Sequence, residues 1–99
     1  MSEKKDKPKT DDRDILLISK ALSDPRRLEV LRKIATSDKT SCMDMRECLG
    51  MNPATLSHHI RQLETAGLIE TARDGKLVRA TLRRKAWKGY LAQLKEFTA

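Results

Sequence analysis

Between Leu49 and Pro53 a helix stop and a helix start stand almost back to back, in the order Leu49-Gly50-Met51-Asn52-Pro53. Glycine after an apolar residue suits the left-handed conformation in which chains leave helices. Met51 supplies the hydrophobic residue common just beyond such an end. Asn52 can accept a hydrogen bond from the first-turn amides of a new helix, and Pro53 loses no needed hydrogen bond at its first position. Few chains can obey both signals without folding Cys42–Leu68 into two helices joined by a sharp turn.

The second of these helices is expected over Pro53–Ala66, ending at Gly67. Leu56, Ile60 and Leu63 recur at helical spacing and form one apolar stripe. Asn52 at its start and Ala54, Thr55, Ser57, His58, Arg61 and Gln62 fall away from that stripe. Small residues let a helix approach base edges closely, and Ser, Thr, Gln and Arg can bond to bases or phosphates. The same pattern also describes an ordinary solvated helix face, so the rest of the chain must decide.

Charge bears on that choice. The 99 residues carry a formal net charge of +7. Thr71–Ala99 holds eight basic and two acidic residues, a net +6. A localised excess of this kind implies a polyanionic partner; nucleic acid, an acidic membrane surface and an acidic protein all fit the sign. The length suggests one domain, expected over 11–99 behind a polar, lysine-rich tail at 1–10 that cannot offset its own ordering entropy.

The longest apolar run near the start is Ile15–Ile18, far short of the roughly 20 residues a spanning helix needs. With no secretory segment and only two cysteines, a cytoplasmic protein is expected. Glycine occurs at positions 50, 67, 75 and 89, each isolated, so no phosphate-cradling loop exists. No nucleophile elbow or zinc-hydrolase motif is present either, and neither an enzyme nor a cofactor is expected.

The remaining elements follow in order. Asp11–Leu22 reads as a helix whose acidic start suits the macrodipole. Asp24-Pro25 caps the next, with Leu28, Leu31, Ile34 and Ala35 as its stripe. Thr36–Thr40 reads as a loop. Ser41 with Asp44 resembles a capping box and starts the first helix of the central pair, with Met45, Cys48 and Leu49 facing inward.

After Gly67 the period changes. Leu68–Ala72 and Lys76–Leu82 flank Arg73-Asp74-Gly75, a hairpin signal that places Arg73, Lys76 and Arg79 on a basic wing. A last helix is expected over Arg83–Phe97, and it contains all three aromatic residues. Ile15, Ile18 and Leu22 on the first helix and Trp87, Tyr90, Leu91 and Leu94 on the last are more apolar surface than an 11.3 kDa chain can cover. The two terminal helices are expected to lie together, each packing partly inward, and to join a second copy. The fold class is therefore mostly α with a small β-hairpin: a dimeric winged helix-turn-helix of four helices, two strands and a helix.

Three segments taken together resemble the ArsR/SmtB family of winged helix-turn-helix repressors. They are Ala21–Leu28 (ALSDPRRL), Asn52–Ile60 (NPATLSHHI), and Leu63 followed by Ala66-Gly67-Leu68-Ile69. The similarity covers roughly 15–94. It implies a homodimer joined through its terminal helices, reading helices in successive major grooves and wings on the flanking backbone or minor groove. By matching position, Thr55, Ser57, His58 and Arg61 would face DNA, with His59 at the edge of the stripe as a structural or phosphate-contacting group.

Many members of that family release DNA on binding a metal through a Cys-x-Cys-Asp-Leu segment. Here the matching stretch is Ser41-Cys42-Met43-Asp44-Met45, with neither thiolate position filled by cysteine, and no metal site is expected. Adjacent His58 and His59 point about 100° apart on a helix and do not chelate one ion easily. Cys42 and Cys48 are six apart and do not stack on one face; a structural role and a redox role both remain open. The function expected is a homodimeric repressor that reads a palindromic operator for an unidentified inducer. The alternative is a winged module that binds an acidic protein without reading DNA.

Overall fold

The computed structural model describes residues 12–37 and 40–99. The expected tail at 1–10 lies outside them. The order is α1 (Asp12–Ala21), α2 (Pro25–Ala35), β1 (Thr40–Ser41), α3 (Cys42–Leu49), α4 (Pro53–Thr65), β2 (Ile69–Asp74), β3 (Leu77–Leu82) and α5 (Arg84–Glu96). The expected winged helix-turn-helix is present, with one strand more than the sequence revealed.

Local chemistry sets the helix ends. The Asp24 carboxylate accepts from the amides of Arg26 at 2.9 Å and Arg27 at 3.1 Å. Ser41 Oγ accepts from the amide of Asp44 at 3.0 Å, and Asn52 Oδ1 from that of Thr55 at 2.8 Å. Gly50 is left-handed at φ 63° and its N–H donates to the Arg46 carbonyl, closing α3. Arg27 is buried and its Nη1 donates to the carbonyls of Lys20 and Ala21. The segment Ala21–Leu28 thus starts α2 with Asp24 and closes α1 with Arg27, a cation at a helix C-terminus.

The three strands are antiparallel in the order β1-β3-β2. β1 pairs Thr40 with Ala80 and Ser41 with Arg79. The sequence reads 36–40 as a loop because a two-residue strand has no period of its own; the edge of β3 imposes it. The hairpin also shifts by one. Asp74 lies opposite Leu77, so Gly75 and Lys76 make the turn, with Gly75 at φ 66°. A glycine at positive φ in the first central position matches the twist of a two-residue hairpin. Asp74 is drawn into the ladder, where its carboxylate accepts from Arg79 Nε at 2.9 Å.

The core lies where α2, α3 and α4 meet the base of the sheet: Val30, Ile34, Met45, Leu56, Leu63 and Leu68 are almost wholly buried. Three inward assignments need correction. Cys48 is exposed, because the inward face of this short helix is centred on Met45. Leu28 and Ala35 are half-buried, and Val30 fills the core position instead.

The terminal helices pack together as expected, but the residues named for the partner divide between the two roles. Ile15, Ile18 and Tyr90 lie in the chain's own core and have almost no surface left for a partner. They occupy the inward side of α1 and α5, which the Ser19 and Tyr90 hydroxyls join at 3.0 Å. Leu22, Trp87 and Leu94 are half-buried against that core. Leu16 at 70%, Leu91 at 46% and Phe97 at 69% exposure are turned outward, as is Leu17 next to Leu16.

Candidate nucleic-acid interface

Helix α4 separates its side chains cleanly. Leu56, His59, Ile60 and Leu63 are buried. Ala54, Thr55, Ser57, His58 and Arg61 are exposed, and Gln62 is half-buried. At about 100° per residue, the six polar-face positions cover an arc of roughly 160° opposite the buried side. The polar face expected from the sequence therefore exists as one continuous surface. Asn52 is exposed, but its carbonyl oxygen is engaged as the helix cap; only its amide N–H groups are left to offer.

His59 belongs to the other side. It is 6% exposed, and its Nδ1 is buried without a hydrogen-bond partner. Burial pushes its pKa down, against the pull of the Asp24 carboxylate; Arg27, His58 and Arg26 push it down further. Of the two roles the sequence allowed, the structural one fits this position.

The wing stands beside α4. Arg73 and Lys76 are exposed on the hairpin, whereas Arg79 is half-buried and ion-paired with Asp74. Arg79 therefore shapes the tip as well as adding charge to it. A contact the sequence did not signal links the wing to α4: Thr71 Oγ1 donates to Glu64 Oε2 at 2.8 Å. At the base of β3, Arg83 N donates to the Leu68 carbonyl at 2.8 Å and its Nη1 to that of Gly67 at 3.0 Å. Nothing in the order of residues distinguishes these polar groups from solvated ones; only the packing of β2 on α4 does.

The cysteines do not pair and both are free thiols. Cys42 is half-buried, and burial raises its pKa, so its thiol stays protonated at neutral pH. Among the described residues no group of three or more His, Cys, Asp or Glu side chains could hold a metal ion. No helix among them is long and apolar enough to cross a membrane.

Comparison with known proteins agrees with this architecture. A helix-turn-helix domain family matches residues 22–72. The chain is 35% identical over 83 residues to YceK of Bacillus subtilis, an uncharacterised HTH-type transcriptional regulator, covering 83% of each. It is 34% identical over 59 residues to the cadmium resistance transcriptional regulatory protein CadC of Listeria innocua, spanning 60% of this chain and only 50% of that one. Among solved structures it resembles a homodimeric winged helix-turn-helix DNA-binding domain from Mycobacterium bovis, described as a possible ArsR-family transcriptional regulator. The TM-score is 0.69 at 26% identity, covering 85% of this chain and 79% of that one. The capped turn at Gly50–Pro53, the exposed polar arc of α4, the basic wing and these relatives together make the chain a member of the ArsR family of winged helix-turn-helix transcriptional regulators.

Proposed function

We propose that the protein is a homodimeric transcriptional repressor that reads an inverted-repeat DNA site. The observation that carries this reading is the exposed polar arc of α4 lying next to the basic wing. In this reading Ala54, Thr55, Ser57, His58, Arg61 and Gln62 enter the major groove and set sequence. Arg73 and Lys76 contact flanking phosphates, with Arg79 behind them, and set affinity.

Dimerisation follows from the apolar surface that α1 and α5 leave uncovered at Leu16, Leu17 and Leu91. The homodimeric Mycobacterium bovis domain supports it. Two-fold symmetry then places half-sites about one helical turn apart, roughly 34–36 Å.

Selection of bound duplexes from a random pool tests the proposal. Enrichment of one palindromic motif is the expected result. Retention of no duplex would overturn it, in favour of a winged module that binds an acidic protein.

A further inference from the structure

The cleft between α4 and the wing is lined by apolar as well as charged side chains. It encloses about 420 Å³ between α4, the start of α3 and the two long strands. Leu56 and Ile60 line its buried side, and Leu77 and Val78 its strand side. Met43 on α3 also lines it and is 48% exposed, although it lies on neither of the helices that carry the outward apolar surface. The charged lining is Arg46, Arg61, Lys76 and Glu64. The Glu64 carboxylate already accepts the Thr71 hydroxyl.

Three cations and one carboxylate make the charged part of the lining net positive beside its apolar residues. A DNA backbone uses the cations but gains nothing from a thioether and branched aliphatic side chains. An anion with a hydrocarbon tail uses both. The volume lies within the range of small-molecule sites, which combine an apolar lining with a few orienting polar groups.

We propose that this cleft binds a medium-chain aliphatic carboxylate, its tail against Met43 and Val78 and its head group between Arg61 and Lys76, and that this binding excludes DNA. The exclusion rests on the DNA-reading function proposed above; the site itself does not. Arg61 and Lys76 cannot serve a carboxylate and a duplex at once, so each ligand weakens the other by the same factor.

Titration of the DNA-free full chain with decanoate, followed by amide NMR shifts at constant ionic strength, tests the site. Saturable shifts are expected in 42–46, 56–61 and 76–78. Affinity should rise from hexanoate to decanoate by up to about fourfold per methylene. Decanol, with the tail and no charge, and acetate, with the charge and no tail, should both bind far more weakly. The substitution Met43→Gln should weaken decanoate about tenfold, as lost apolar contacts do, and leave DNA binding unchanged.

Absence of saturable shifts, decanol binding as well as decanoate, or shifts confined to the Leu16 and Leu91 surface would each overturn the site. Decanoate that binds in the cleft without displacing a selected duplex would overturn the exclusion. If decanoate binds there and no duplex is ever retained, the DNA reading fails and the exclusion with it, while the site stands.

Discussion

The hydroxyl of Thr71 donates to the Glu64 carboxylate at 2.8 Å, joining the first strand of the wing to the last turn of the reading helix. In the proposed reading the angle between wing and helix decides whether both can meet one duplex, and this bond would position the two together. Thr71→Val should therefore cost little stability, about 1 kcal/mol or less, because the groups are largely solvated. It should cost DNA affinity more. Paired chemical denaturation and DNA titration separate the two effects; equal losses in both would make the bond merely structural.

Arg61 and Lys76 are assigned different tasks. Arg61→Ala should lose discrimination between the selected site and its variants. Lys76→Ala should weaken all duplexes alike and lower the salt slope by about 1. For a dimer making six to ten phosphate contacts, wild-type affinity should fall ~10³–10⁵-fold between 50 and 200 mM salt. Binding titrations across that range check both substitutions. Uniform weakening by Arg61→Ala would reassign it to the backbone.

His59 makes stability depend on pH. Its folded pKa lies below the ordinary histidine value, chiefly through burial, so the unfolded chain binds the proton better. The contribution is fully present above the unfolded value near 6.5 and is lost as pH falls through that value towards the folded one. Asp24, held low first by the Arg27 amide, adds a loss in the same direction at more acidic pH. Denaturation midpoints from about pH 7.5 to about pH 5.5 should fall for the wild type and flatten for His59→Leu. Parallel curves would exclude His59 as the cause.

Much of this was legible before folding. Gly50, Asn52 and Pro53 act through backbone geometry and a neighbouring amide, so their effect is written in local order, and the turn forms as expected. The α4 face was legible for the same reason: a 3.6-residue period has only one inward side. Two kinds of feature were not. β1 and the Thr71–Glu64 bond depend on partners distant in sequence, which no local pattern encodes. On α1 the run Ile15–Ile18 is apolar throughout, so periodicity could not choose which residues turn inward. Packing chose Ile15 and Ile18, leaving Leu16 and Leu17 outside.

That division carries a prediction for assembly. Leu16→Glu combined with Leu91→Glu places charge on exposed apolar positions outside the buried core cluster. The variant should keep wild-type helix content by circular dichroism and sediment as a monomer. Affinity for an inverted repeat should drop because each half-site then binds alone. A variant that remains dimeric would locate the interface elsewhere.

The most direct measurement of the central claim is an amide NMR titration of the chain with its selected duplex. The largest shifts should fall within 53–62 on the reading helix and 73–79 on the wing. Shifts concentrated on α1 and α5, with the α4 polar arc unmoved, would contradict the account.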